Sequence, residues 1–320
     1  MNLKSINNTS IEEIGIKAYS LVYLKDIGLM ENNLYVSSVL PEKSIFIKQL
    51  TEIGFKDKKL ISARTSHPQK DVKLPRKPCA TFDEAYDFYK ENLEAGMVIV
   101  MHDFFKAKFG GIISYSKGEI VLEISESDWN IDYVLNSDMA VFSHGFATWY
   151  LYKDVRKIAS IVDGVENYIN INPLNEKIAQ QITDAFTPKL AKLEKILSGD
   201  FNSLEILISD RFKIFPLQLA GVKNIKNGNY ENNNLQNDIF EIKTPHDLVK
   251  WDKKTPLLIS IPATVDRADA LMGVIQEIKK YTRHAYISYG ILSHPAILLR
   301  EAGIAVERKM SNYKLVKITY

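Results

Sequence analysis

"HAYISYGILSHPAILLREAGIAVERK" (residues 284–309) reads as strand, loop, helix, loop and strand. "HAYISYG" and "IAVERK" carry the strand character, and "PAILLREAG" a short helix between them. Pro295 suits the first helical position, where its missing N–H goes unneeded, and Gly303 suits the stop. Upstream, "PLLISI" is a strand and "DRADALMGVIQEIKKY" a helix with Leu271, Ile275 and Ile278 along one stripe. Strand, helix, strand, helix, strand predicts an α/β layer.

Before this layer the chain looks different. "VKNIKNGNYENNNLQND" is asparagine-rich and poor in apolar residues, which predicts an exposed loop. A domain boundary is placed at Ala220, giving domains of 1–219 and 220–320. In the first of these, "SIEEIGIKAYSLVYLKDIGL" reads as a helix with capping-box spacing between Ser10 and Glu13. Gly15 weakens its first turn, so the helix can begin near Lys17 after a glycine loop. "FDEAYDFYKENLEAG" is a helix stopping at Gly96, and "NPLNEKIAQQITDAFTPKLAKLEKIL" one split by Pro188. "MVIVMHDFF", "FGGIISYS" and "GEIVLEISES" are strands, separated by turns at Gly110-Gly111 and Lys117-Gly118. "SLEILIS" and "FKIFPLQL" form a hairpin about a two-residue Asp210-Arg211 turn, with Leu204, Ile206 and Ile208 facing the core. The fold class is α/β (α+β).

Bulk properties exclude several function classes. The 320 residues are 46% hydrophobic, enough for a substantial core. Lys and Arg number 41 against 39 Asp and Glu, a formal +2, so no global field calls for nucleic acid or a membrane surface. One cysteine, Cys79, rules out an intrachain disulfide or a thiolate metal cluster. A polar N-terminus and the absence of a long apolar run predict a cytoplasmic protein. The histidines show no metal-ligand spacing.

The helix start at Pro295 places His294 at the N-cap, against unpaired N–H groups and the positive end of the helix dipole. An anion is favoured there, including a phosphate carried on the imidazole. From the residues alone the alternative stays open: Ser293 caps the helix and His294 is a polar loop residue.

The whole string "GILSHPAILLREAGIAV" resembles the phosphohistidine motif of the PEP-utilising enzymes, the family of phosphoenolpyruvate synthase, pyruvate phosphate dikinase and rifamycin phosphotransferase. Gly290, Ser293, His294, Ala296, Ile297, Arg300, Glu301, Gly303 and Ile304 follow the family pattern. Ile291 stands where many members have glycine, and Ala305 where proline is usual. The resemblance implies an ATP-grasp domain followed by a swivelling phosphohistidine domain. His294 would take phosphate from ATP and pass it to a small-molecule acceptor, releasing AMP and phosphate. Ser293, Arg300 and Glu301 would assist, and another chain could supply the acceptor site.

Upstream, "IGIKAYSLVYLKDIGL" resembles the family's Gly-Gly-Lys helix, implying that Lys17 contacts ATP phosphates. "SARTS" resembles the Val-Arg-Ser-Ser strand, which gives Arg64 the same task. "FGGIISYSKGEIVLEISES" is similar to the strand pair ending in an acidic residue near the metal, implying Glu123 as a Mg²⁺ ligand. "SLEILISDRFKIFPLQLAG" resembles the segment that closes the ATP site, with Glu205 on Mg²⁺ and Gln218 on phosphate or metal. Read without the resemblance, these are a surface lysine, a strand arginine, a half-exposed strand and a polar hairpin rim. Ser203 and Ala220 replace the family aspartate and arginine, and the glycine-rich phosphate loop is not found. No barrel for phosphoenolpyruvate follows, so pyruvate chemistry within this chain is not expected. A second reading is a catalytically weakened relative that works as a nucleotide-binding or regulatory partner.

Overall fold

The computed structural model describes residues 11–56, 59–69, 74–116, 118–126, 137–162, 165–199, 201, 203–220, 239–261, 268–290, 293–309 and 312–320. Ser10, Lys117, the whole asparagine-rich stretch and the start of the 266–281 helix lie outside them. The chain divides into two compact units, one of residues 1–106, 204–209 and 214–220, the other of 107–203, 210–213 and 221–320.

The first unit opens with α1 (Ile11–Asp26), broken at Gly15, whose φ of 75° and ψ of 159° are not helical. A short helical segment therefore precedes Gly15 and the longer helix follows it, so the break falls where the glycine predicted but no loop replaces the first turn. Next come β1 (Leu34–Ser37), α2 (Lys43–Ile53), β2 (Ile61–Ser66), β3 (Arg76–Ala80), α3 (Phe82–Asn92) and β4 (Val98–Asp103). The strands form one antiparallel sheet in the order β1-β4-β2-β3. Helices α2 and α3 lay Phe46, Leu50, Phe82, Ala85 and Tyr89 into one core with Ile61, Ala63, Ile99 and Met101. Strand alternation then turns Ser62, Arg64 and Ser66 to the other face. There Ser66 Oγ accepts from the Ala18 N–H of α1 at 3.1 Å. Thr81 and Glu84 start α3 with a reciprocal capping box. The helix ends at Asn92 and does not reach Gly96, because Leu93 is already extended.

The second unit begins with β5 (Phe109–Ser116), β6 (Glu119–Glu126), β7 (Asp138–Ser143) and β8 (Phe146–Tyr152), an antiparallel series. Gly110 and Gly111 are not a turn. They lie buried within β5, opposite Ser125 and Ile124 of β6. The hairpin of β9 (Arg156–Val162) and β10 (Val165–Ile171) precedes α4 (Glu176–Phe186) and α5 (Leu190–Leu197). A 3-10 turn over Thr187–Lys189, carrying Pro188, separates the two helices where the sequence predicted a break.

β11 (Ser203–Ile208) and β12 (Ile214–Ala220) are adjacent strands, so the predicted hairpin is present. Its connection is longer than two residues, running from Ser209 to Lys213 with Phe212 left-handed at φ 59°. Leu204, Ile206 and Ile208 are buried as predicted.

The C-terminal layer is a four-stranded parallel sheet in chain order. Its elements are β13 (Phe240–Ile242), β14 (Leu257–Ile259), α6 (Ala268–Ile278), β15 (His284–Ile287), α7 (His294–Glu301) and β16 (Ala305–Arg308). Ile259, Ile275, Ile287 and Leu299 share one core with Ile112 of β5 and Ile171 of β10. A last strand, β17 (Tyr313–Thr319), leaves this layer and pairs antiparallel with β8, setting Val316 against Trp149. The molecule is thus mixed α/β with several sheets. Among the described residues no helix is long and apolar enough to cross a membrane.

Candidate functional site

In the first unit the strand register places two arginines directly opposite each other, Arg64 on β2 and Arg76 on β3. Like charges so placed repel. The Arg76 guanidinium keeps an exposed surface, yet the packing around it is the main influence drawing its pKa below the ordinary value. Arg64 adds to that shift, and the carboxylate of Glu205 opposes it. Arg64 Nη2 donates to Gln218 Oε1 at 3.3 Å. Two strands and the β11–β12 hairpin therefore bring two guanidinium groups, one carboxylate and one amide together.

Tyr89 fixes the backbone beneath this group. Its buried hydroxyl accepts from Arg64 N–H at 3.2 Å and donates to the Val100 carbonyl at 2.7 Å. Burial raises the pKa of this phenol, so it stays neutral. Nearby His102 is also buried, with Nδ1 2.9 Å from the Asp103 carbonyl. Burial is the main cause that lowers its pKa from 6.5 to about 4, and Arg64 acts in the same direction.

Lys17 sits half-buried in the first turn after the break in α1. A Cβ on Gly15 would come within 2.6 Å of the His67 carbonyl carbon and 2.7 Å of Ser66 Oγ. The glycine therefore lets the start of the helix lie against β2, two residues along the strand from Arg64.

In the second unit Glu123 is buried on β6 and receives Arg308 Nη1 at 3.3 Å, the two side chains being 2% and 0% exposed. Arg308 Nη2 also donates to the Ser137 carbonyl, to Ser137 Oγ at 3.1 Å and to the Tyr313 hydroxyl at 2.6 Å. Burial alone would lower the arginine's pKa; Tyr313, Glu123 and Asp138 outweigh it and hold the charge.

The start of α7 differs from the sequence expectation by one residue. Ser293 is the N-cap, its Oγ accepting from Ala296 N–H at 3.4 Å, and His294 is the first helical residue, followed by Pro295. The serine hydroxyl wins the position because it can both accept that N–H and donate to the Gly290 carbonyl at 2.6 Å. Arg300 is half-buried in the last turn. The side chains of His294 and Glu301 lie outside the described ones.

Among the described residues the carboxylates fit a magnesium ion as part of a nucleotide complex. No group of three or more His, Cys, Asp or Glu that could hold a metal exists among the described residues. Magnesium bound mainly by phosphates and water needs one or two carboxylates, and Glu205 in the arginine cluster is such a group.

No family model matches the chain, and no curated protein matches it. Solved structures give loose likenesses. The D-alanine–D-alanine ligase from Coxiella burnetii is 9% identical over 66% of this chain and 49% of its own, with a TM-score of 0.37. Macrocyclase MdnC bound with precursor peptide MdnA, from Microcystis aeruginosa MRC, is 9% identical over 67% and 56%, with a TM-score of 0.32. The ATP-grasp ligase PsnB complexed with minimal precursor is 9% identical over 66% and 52%, with a TM-score of 0.31. This chain spans about half the length of these three proteins. Likeness at this level carries no argument about chemistry.

Arg76 and Arg308 were not singled out from the sequence. Arg76 acquires meaning only through its register against Arg64, after a connection (residues 67–75) whose length does not specify pairing. Arg308 lies 185 residues from Glu123 in the chain, and no local pattern links them.

Proposed function

We propose that the protein is an ATP-dependent phosphotransferase of ATP-grasp type, whose first unit binds the nucleotide phosphates at Arg64, Arg76, Gln218 and Lys17. The observation that carries this reading is the directly opposed pair Arg64 and Arg76, with Gln218 bonded to one and Glu205 acting on the other. Two guanidinium groups side by side are best satisfied by a multivalent anion with several oxygens, and a triphosphate is one. Glu205 supplies the carboxylate for the magnesium that accompanies it. His294 is the proposed phosphate carrier, supported by the family-like string around it and by its place in the first turn of α7. Its imidazole nitrogen would attack the β-phosphorus of ATP and displace AMP. Water would then cleave the terminal phosphate from the pyrophosphoryl-histidine as inorganic phosphate, and the phosphate left on the nitrogen would pass to a small-molecule acceptor. Positioning and charge neutralisation are the tasks left to the chain.

Calorimetric titration with Mg²⁺ and a non-hydrolysable ATP analogue tests the binding step. Binding that is weakened about tenfold or more by Arg64→Ala is expected. Equal affinity in the variant would remove Arg64 from the site, and no binding by the wild type would sink the reading.

A second reading is a weakened relative that binds nucleotide without transferring phosphate. Ser203 and Ala220 at the aspartate and arginine positions favour it, as does the engagement of Glu123 by Arg308. Nucleotide binding without modification of His294 would select it.

A further inference from the structure

The Glu123–Arg308 pair lies against Gly290, three residues before the N-cap of α7. The peptide of Gly290 rests against the Glu123 carboxylate so closely that a Cβ at this position would stand 2.9 Å from its Cδ. A side chain here would have to push the Glu123 carboxylate aside. The Gly290 carbonyl is in turn the acceptor for Ser293, from its N–H at 3.1 Å and its hydroxyl at 2.6 Å. The same hydroxyl caps α7 at Ala296. A continuous series of contacts thus runs from Arg308 through Glu123, Gly290 and Ser293 to the first turn of α7.

The chemistry of the pair suits a fixed platform. A carboxylate with 2% of its side chain exposed needs a cation beside it. Arg308 is that cation, built into the chain, and it is held in turn by Ser137 and by Tyr313, whose ring lies 5.1 Å from the guanidinium carbon. Tyr313 also donates to the Ser137 carbonyl at 3.2 Å. Glu123 itself sits mid-strand, opposite Ile112 and Met139 of its neighbours, so the sheet fixes its position.

We propose that Glu123 and Arg308 are a positioning pair that holds Gly290 and, through the Gly290–Ser293 hydrogen bonds, the start of α7 at His294, with Arg308 serving as the counter-ion of Glu123 where the family resemblance implies magnesium. The assignment rests on the reading of His294 as phosphate carrier for its catalytic meaning. Its structural half can be judged separately.

Hydrogen exchange read by mass spectrometry on the full chain provides that judgement. Glu123→Gln keeps the shape and removes the charge, and should speed exchange in the 293–299 peptide about five- to tenfold while leaving β7 and β8 peptides nearly unchanged. Tyr313→Phe, a milder change that keeps the ring, should give a smaller rise in the same peptide. It serves if Glu123→Gln does not fold. Phosphate incorporation at His294 from Mg²⁺ and ATP should fall in step with the exchange change. Unchanged exchange at 293–299, or an equal rise across β7 and β8, would overturn the positioning role. A tenfold loss of affinity for the magnesium–analogue complex in Glu123→Gln would return the residue to cation binding and also overturn it. Absence of phosphate incorporation in the wild type would instead remove the carrier reading, leaving the exchange result to decide the platform.

Discussion

Arg64 and Arg76 stand directly opposite each other on β2 and β3, like charge against like charge. Like charges so paired work against the fold by roughly 0.2–1 kcal/mol, an effect that the Glu205 carboxylate opposes at Arg76. Arg76→Gln is therefore expected to stabilise the free protein by a few tenths of a kcal/mol to about 1 kcal/mol, and to weaken nucleotide binding. Thermal unfolding with and without a nucleotide analogue checks both signs. Loss of stability together with unchanged binding would contradict the assignment.

His102 makes the first unit sensitive to acid. Its pKa is lowered to about 4 in the fold against 6.5 for the ordinary side chain. Between these values the unfolded chain binds a proton that the folded chain does not, so stability rises with pH through this window. The contribution is full above pH 6.5 and is lost progressively as the pH falls toward 4, by up to about 3 kcal/mol. Denaturant unfolding of wild type and His102→Gln across this range should show the steeper fall in the wild type. Parallel curves would rule the histidine out as the cause.

Gly15→Ala should destabilise the start of α1. The position has φ 75°, and its Cβ would meet the His67 carbonyl and Ser66 Oγ. A strained left-handed residue with backbone on one side costs about 1–3 kcal/mol. Because the shift displaces Lys17 and the segment touching β2, nucleotide affinity should fall with stability. A fully stable variant would mean that the break in α1 is not required.

Removing one member of the buried pair, as in Arg308→Met, leaves an uncompensated carboxylate and should cost about 3–5 kcal/mol. Replacing both, Glu123→Leu with Arg308→Met, should recover a good part of that loss. Chemical denaturation of the two single variants and the double variant measures the coupling directly. Simple additivity would show that the two residues act independently.

Ser293→Ala removes the N-cap of α7 and should cost about 1 kcal/mol, with Ser293→Asp restoring much of it. If the alanine variant matched wild type, the cap would have to lie elsewhere.

The C-terminal layer was legible because its apolar runs are short, regular and bounded by Pro295 and Gly303, with the inner strand β14 buried throughout and the outer strands β13 and β16 only in part. Proline marked the start of α7 but not its cap, since a serine one residue earlier can reach the same N–H groups. Gly110 and Gly111 misled for a related reason: a glycine pair reads as a turn, while in β5 it lies buried between neighbouring strands. What sequence reasoning could not reach were the long-range pairings. Arg64 against Arg76, Glu123 against Arg308, and β17 against β8 depend on register and on chain return, which no local composition encodes.

The central claim is that the first unit loads phosphate from ATP onto His294. Incubation with Mg²⁺ and ATP, followed by intact and peptide mass spectrometry under non-acidic conditions, measures it most directly. The account predicts an acid-labile phosphate on the 293–299 segment at His294, release of AMP, and loss of both in His294→Ala and Arg64→Ala. An unmodified His294 in a protein that also fails to bind nucleotide would contradict it.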